Sequence, residues 1–342
     1  SPRGGSGSSS TVPRRGAWGV VPASPTSVDA AGVSLPGYAP GYKDQNQDSA
    51  LLLDAFLSSR QQLLAVMDGH GPEGHRVSAF VRQNLPFTLL NQLVAGGGGG
   101  GNGGDETDRS GDNGRPVQRA MQRTVASLDA QLAGSGIDVA SSGTTAVLCH
   151  VHGRQLTAAW VGDSRAVLGL PEAGAGASGT GGRGGGGSVR WGGEQRGAAV
   201  GASSEGSAAL ARAGGSPAPP DQRAAASRGG GGDGRGGGMG WRVAWSSTDH
   251  KPEAPGELER IEAAGGRVAR SMGPRGPVGP FRVWFKNEDQ FGLAMSRALG
   301  DLPGRQLGVT ATPSTASLQL PAGDGPAVLV LASDGVWELL DN

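Results

Sequence analysis

Four aspartates in this chain stand where apolar runs meet small residues, and a histidine follows one of them by two positions. Asp68 closes LLAVM and precedes Gly69 and His70; Asp163 follows AAWVG, Asp334 follows VLVLAS, and Asp48 in NQDS leads into the apolar residues 50–53. Asp-Gly is a common turn dipeptide, so any one of these acids alone reads as a polar turn after a strand. Four of them at the ends of core strands make a different pattern, that of hard-cation ligands. Mg2+ and Mn2+ prefer carboxylate, carbonyl and water oxygens. Rigid strands fix such ligands in place, and the small neighbours leave room for an ion to approach a backbone carbonyl.

The elements that must hold these residues are legible from periodicity. Residues 49–67 (SALLLDAFLSSRQQLLAVM) read as two strands joined by a turn, the second ending at Met67. Residues 73–94 and 116–133 have helical spacing, and Pro116 is placed for a helix start. Residues 144–170 read as three short strands, with turns at Gly153-Arg154 and Gly162-Asp163-Ser164. WRVAWSS follows, then a helix at about 256–264 ended by Gly265-Gly266, then a strand at 327–332. Meanders of strands with separate helices predict an α+β layered domain rather than a βαβ repeat.

Composition limits how much of the chain can be fold. Glycine supplies 65 of 342 residues, far above the ordinary share of about 7%. Residues 1–26 read as a disordered tail, and 27–342 as one domain interrupted by glycine-rich insertions at about 95–115 and 171–240. Glycine makes up 25 of the 70 residues from 171 to 240, so this tract reads as looped out of the fold. Such length is tolerated because closure entropy grows slowly, and GxGxxG-like matches inside it have no strand before them or helix after them. Lys+Arg and Asp+Glu both number 30, which argues against a nucleic-acid partner. The single cysteine, Cys149, excludes an intrachain disulfide framework and a cysteine zinc site and reads as an inert buried thiol. No apolar run reaches membrane-spanning length and no signal-peptide pattern opens the chain, so a soluble intracellular protein of cytoplasm or nucleus is expected. An opening on Ser1 rather than Met fits a fragment.

With the elements placed, several stretches resemble the metal-dependent serine/threonine protein phosphatases of type 2C. They are NQDS, VMDGHG, SSGTTAVLCHVHGRQLTAAWVGDSRAVL, DHKPEAPGELERIEAAGGRV, LAMSRALGD and LASDGVWELL, in that family's order. The resemblance covers roughly residues 40–94, 116–170 and 241–342. It implies a four-layer α-β-β-α sandwich of two mainly antiparallel sheets flanked by helices. It also implies hydrolysis of phosphoserine and phosphothreonine proteins by a monomeric enzyme with two Mg2+ or Mn2+ ions. By the resemblance Asp68 bridges both ions, Gly69 offers its carbonyl to one, Asp48 lies in the first acidic motif, and Asp334 binds the other ion. Asp163 and Glu338 correspond to a third, weaker metal site that shares Asp334. The paired ions would acidify a bridging water and present hydroxide in line with phosphorus. A serine or threonine alkoxide leaves poorly, and by resemblance His70 is the general acid that protonates it. Lys43, in GYKDQNQD, matches a cation that binds substrate phosphate. The stretch from Glu253 to about Gly292 corresponds to the flap beside the active site; its aromatic and basic residues suit either a phosphopeptide or a packed surface loop. His75, His150 and His152 read as structural, and His250 in TDHKP as a motif residue without a catalytic role.

The sequence departs from the family in three places. Gln47 stands where many members have a glutamate that steadies one metal. Glu338 stands where an aspartate is common. The last departure is at the end: the family closes its site with a further aspartate beyond the SDG motif, whereas this chain stops eight residues after Asp334. The domain is therefore expected to be incomplete at its C-terminus. A rival reading is an inactive type 2C-like binding module, which the missing aspartate favours and the retained Asp48, Asp68, His70, Asp163 and Asp334 oppose. A third keeps the fold and changes the substrate to another phosphomonoester.

Overall fold

Residues 61–70 show how the sequence builds the core. A strand covered on both faces reads as a continuous apolar run rather than an alternation, and LLAVM is such a run. In the computed structural model, which describes residues 29–36, 45–97, 115–172, 240–287, 291–321 and 325–342, these residues form the strand β2 (Gln61–His70). Leu63, Ala65 and Met67 face one core, while Leu64 and Val66 face another. The tail expected at 1–26, Lys43 and most of both glycine-rich insertions lie outside the described residues.

Strand β1 (Asp48–Leu53) pairs antiparallel with β2, and helices α1 (Gly74–Gly97) and α2 (Arg115–Ala133) follow. Then come β3 (Gly143–Thr144), β4 (Ala146–His152), β5 (Gln155–Val161) and β6 (Arg165–Pro171). Beyond the second insertion lie β7 (Trp241–Ser246), α3 (Glu257–Ala263), β8 (Gly266–Gly273) and β9 (Gly276–Phe285). The chain continues through β10 (Leu299–Gly300), a 3-10 turn at Leu302–Leu307, β11 (Ser314–Gln319), β12 (Val328–Ala332) and the short α4 (Asp334–Trp337).

The larger sheet runs β10-β3-β2-β4-β5-β11 with β1 on β2, and the smaller runs β12-β6-β7; both are antiparallel. Helix α1 buries Val77, Val81, Leu85 and Leu89 at four-residue spacing, and α2 adds Met121, Val125, Leu128 and Leu132. Together they cover one face of the larger sheet. The other face packs on the smaller sheet through Val147, Cys149, Ala158 and Trp160 against Ala166, Leu168, Trp245 and Leu331. This is the α+β sandwich that the sequence predicts. Truncating a fully buried leucine such as Leu63 or Leu85 to alanine costs about 2–5 kcal/mol. On the outer side of the smaller sheet Trp241, Val243, Val328 and Val330 are exposed.

Two features depart from the periodicity reading. First, β2 does not stop at Met67 but carries Asp68, Gly69 and His70 as strand residues, because β1 and β3 flank them: Asp48 stands opposite Asp68, Thr144 opposite Gly69 and Gly143 opposite His70. The acid is held by sheet, not by a turn. Second, 266–285 forms the hairpin β8–β9, which caps a third small core of Ile261, Val283, Leu293, Met295, Leu307 and Val309. Its aromatic and basic residues stack on one another, with Arg267 over Trp284 at 5.8 Å and Arg270 over Phe281 at 4.8 Å. Among the described residues no helix is long and apolar enough to cross a membrane.

Candidate functional site

Asp68 is fixed by backbone and hydroxyl contacts that reach far along the chain. Its N–H donates to Thr145 Oγ1 at 3.0 Å, and its carbonyl accepts from the Thr145 N–H at 2.9 Å and from Thr144 Oγ1 at 3.0 Å. Thr145 Oγ1 also meets Ser164 Oγ at 2.6 Å. The strand bearing Asp68 is thereby tied to the turn bearing Asp163. Gly162 in that turn has φ 90°, and a Cβ there would strike Thr145. Gly69 has no room for a side chain either, since a Cβ would collide with the carbonyls of Gly74 and Gln47.

The remaining acids converge on Asp68 from other strands. Asp48 is opposite it in the β1–β2 register. Ser333, just before α4, donates from Oγ to Asp48 Oδ2 at 2.9 Å, which brings the end of β12 and Asp334 alongside. The α4 segment is anchored by Trp337, whose Nε1–H donates to Ala332 O at 2.9 Å and whose ring lies 5.3 Å below the Arg165 guanidinium. Burial, then the charges of Asp48 and Asp334, a hydrogen bond with Asp334 and the charge of Asp163 push the Asp68 carboxyl up to about 9. Burial also pushes the Asp163 carboxyl up, against the pull of Lys251, whose Nζ lies 2.5 Å from Oδ2.

His70 closes β2 beside this group. Burial disfavours its charged form, but the Asp301 carboxylate 2.6 Å from Nε2, with Asp163 and Asp334 behind it, outweighs burial and raises the imidazole above its ordinary value. The other histidines have structural partners or surroundings. His250 accepts the Gly162 N–H on Nδ1 at 3.2 Å, meets Ser314 Oγ through Nε2 at 2.9 Å, stacks on Trp160, and is pushed down to about 3, chiefly by burial. Burial likewise lowers His150 to about 4, with Nε2 on Gln61.

The structure thus brings Asp48, Asp68, Gly69, Asp163, Asp334 and His70 into one region. Glu338 it leaves exposed just past the end of α4, and the charges acting most strongly on Asp163 are Lys251, Asp334 and Asp249. Gln47 is engaged elsewhere: its amide donates to Gly71 O at 2.9 Å and packs against Gly74, bracing the turn into α1. Residues that the sequence reading left without a role are Thr144, Thr145, Ser164, Lys251 and Asp301, each contacting a candidate residue or linking two. All lie in or beside the SSGTT, VGDSR, DHKP and SRALGD stretches, so motif membership was the available signal.

The donor set suits a hard divalent cation. Several carboxylates act on one another at Asp68, with no counter-charge there among the described residues, and a cation relieves that repulsion. Among the described residues no three histidine, cysteine or acidic side chains stand close enough together to hold a metal ion.

Comparison with known proteins gives the family. The family model described as protein phosphatase 2C matches residues 38–175 and 241–342, leaving out most of the second glycine-rich insertion. "Probable protein phosphatase 2C 61" of Arabidopsis thaliana is 30% identical over 309 residues, covering 88% of this chain and 68% of its own length. "Probable protein phosphatase 2C 64" of Oryza sativa subsp. japonica is 30% identical over 336 residues, covering 97% of this chain, which spans 60% of that relative. Among solved structures, a serine-threonine phosphatase 2C from Toxoplasma gondii aligns with a TM-score of 0.56 at 15% identity, over 90% of this chain and 82% of that one. A C. elegans sex determining protein aligns with a TM-score of 0.52 at 18% identity, over 90% of this chain and 52% of that one; at such identities the likeness concerns the fold. The matched segments take in Asp48, Asp68, His70, Asp163 and Asp334, and the chain belongs to the protein phosphatase 2C family.

Proposed function

We propose that this chain is a protein serine/threonine phosphatase that works with two Mg2+ or Mn2+ ions. The observation that carries the reading is Asp68, a carboxylate surrounded by Asp48, Asp334 and Asp163 with His70 two residues away. When bound, the ions supply an acidified water as nucleophile and positive charge for the phosphate oxygens. Asp48, Asp68, Asp334 and the Gly69 carbonyl would hold them, and Asp163 would contribute to a third, weaker site. With phosphorus under attack, His70 gives a proton to the departing serine or threonine oxygen, which otherwise leaves as a strongly basic alkoxide. Lys43 would bind substrate phosphate. Phosphoserine and phosphothreonine proteins are the substrate class, following the protein phosphatase relatives.

The test is phosphate release from a phosphothreonine peptide with Mn2+, with Mg2+ and with EDTA. Turnover that needs the metal and is lost in Asp68→Ala is expected. Absence of turnover from folded protein at millimolar Mn2+ would sink the phosphatase reading.

A further inference from the structure

Between Glu262 and Glu288 the chain carries no acid, while Arg267, Arg270, Arg275, Arg282 and Lys286 all fall within residues 266–286. Lys+Arg and Asp+Glu each number 30 overall, so the rest of the chain is left with an excess of acids. We infer that the β8–β9 hairpin is a docking surface for an acidic peptide segment, namely the acidic residues that flank the phosphorylated serine or threonine of the substrate. This rests on the phosphatase reading.

The hairpin holds these cations on paired strands rather than on loose chain. Val268 stands opposite Val283, and both pack into the small core with Ile261 and Leu307. Arg270 stands opposite Phe281, with its guanidinium 4.8 Å from the ring centre. Arg275 lies in the turn between the strands, and Arg282 donates from Nη1 to Gly292 O at 2.6 Å. Arg270, Arg275 and Lys286 are exposed. Among the described residues no carboxylate pairs with Arg270, Arg275, Arg282 or Lys286. A guanidinium laid on a ring keeps its N–H edge for a carboxylate, which it meets with two parallel hydrogen bonds.

The base of the hairpin is bound to a segment that ends at the candidate site. A Cβ on Gly266 would strike Leu307 O, and Leu307 closes the 3-10 turn that begins directly after Asp301, whose carboxylate lies 2.6 Å from His70. That turn has six residues, so about 12 Å of it separates the hairpin base from Asp301. β8 has eight residues and is about 26 Å long, the reach of an extended peptide of the same length. A peptide that brings its phosphate to Asp68 and His70 therefore has the hairpin within a few residues of the phosphorylated position. Charge decides what that peptide carries. Asp48, Asp163 and Asp334 around Asp68 repel an acidic chain, and the hairpin sets the opposite charge beside them. Complementary charge at the edge of a site favours one partner over another more than it adds raw affinity.

The test varies flanking charge in both the peptide and the protein. Two phosphothreonine peptides that differ only in carrying glutamates or glutamines on either side are compared with Mn2+ at low salt. kcat/KM for the glutamate peptide is expected to exceed that for the glutamine peptide about tenfold. The ratio should fall to about one in the combined variant Arg270→Gln, Arg275→Gln, Lys286→Gln, and in the wild type at about 500 mM salt. Taking the ratio cancels any loss of activity common to the two peptides. A wild-type ratio near one at low salt, or a ratio unchanged in the variant, would overturn the proposal. A second readout needs no turnover: fluorescence anisotropy of the unphosphorylated glutamate peptide should show saturable binding that the variant loses. Capture of the protein by phosphatidylserine vesicles without binding of that peptide would overturn the proposal in favour of a lipid surface. Wild-type protein inactive on both phosphopeptides would instead defeat the phosphatase reading, leaving the anisotropy to judge the surface.

Discussion

Asp68 and Glu257 are both acids taken largely out of water, and the protein treats them in opposite ways. Around Asp68 the fold adds more negative charge, and the carboxyl is pushed up to about 9. Burial would raise Glu257 too, but Arg260 at 2.7 Å, Arg297 at 2.5 Å and the Ser296 hydroxyl outweigh it and hold that carboxyl far below the ordinary range. Glu257 fastens α3 to the segment after β9; its charge is answered from within. Among the described residues Asp68 has no such answer, and ionising it calls for something that binds. Cys149 marks the case between them: buried with no charged group driving the shift, its thiol is pushed up to about 12 by burial alone. Burial therefore does not mark a site. Burial with the counter-charge withheld does.

The sharpest way to break this contrast is to remove each acid. Asp68→Ala is expected to cut Mn2+-dependent phosphate release about a thousandfold or more, while its melting temperature in EDTA stays level or rises, because a carboxyl buried among other acids is gone. Glu257→Ala should do the reverse in stability. Leaving Arg260 and Arg297 facing an empty carboxylate position costs about 3–5 kcal/mol, which denaturant titration would read with or without metal. A stabilised Glu257→Ala would remove the comparison's second half.

Acid titration sharpens it further. His150 and His250 have folded pKa values depressed to about 4 and about 3 from 6.5, so the unfolded chain binds more protons over that interval. Their contribution to stability is fully present above pH 6.5 and is lost as pH falls towards 3, whereas Asp68, raised to about 9, contributes in the opposite sense over the same range. Glu257, whose folded pKa is also depressed, adds its own loss only below its ordinary value of 4.5. Chemical denaturation of the wild-type protein and of a His150→Gln, His250→Gln variant at steps between pH 7 and 3 isolates the histidine part, and profiles that run parallel from 6.5 to 5 would contradict the histidine assignment. The smallest effect concerns Cys149. Native protein should react negligibly with a thiol reagent at neutral pH and fully once unfolded, since neither access nor thiolate is present in the fold.

Local pattern carried much of the architecture. LLAVM announced a strand, Pro116 stood beside the start of α2, and Gly265 with φ 86° follows α3 where its glycine pair was expected to end it. What stayed hidden depends on contacts between distant residues. The Thr144 and Thr145 hydroxyls that fix Asp68 come from 76 and 77 residues away, and the carboxylate on His70 from 231. The β8–β9 hairpin was masked by its glycines, prolines and arginines, which break any two-residue alternation. β11, STASLQ, is mostly polar and borrows its register from β5. In the site, the acids were visible because their residue type is unusual at the end of an apolar run. Their neighbours were not, because serine, threonine and lysine are unremarked in almost any loop.

Calorimetric titration of Mn2+ into the protein at neutral pH, in two buffers of different protonation enthalpy, tests the central claim most directly. Asp68 held near 9 must give up its proton as an ion enters, so saturable binding with release of about one proton is predicted, and Asp68→Asn should abolish both. Absence of saturable binding at millimolar Mn2+, or binding unchanged in Asp68→Asn, would contradict the account.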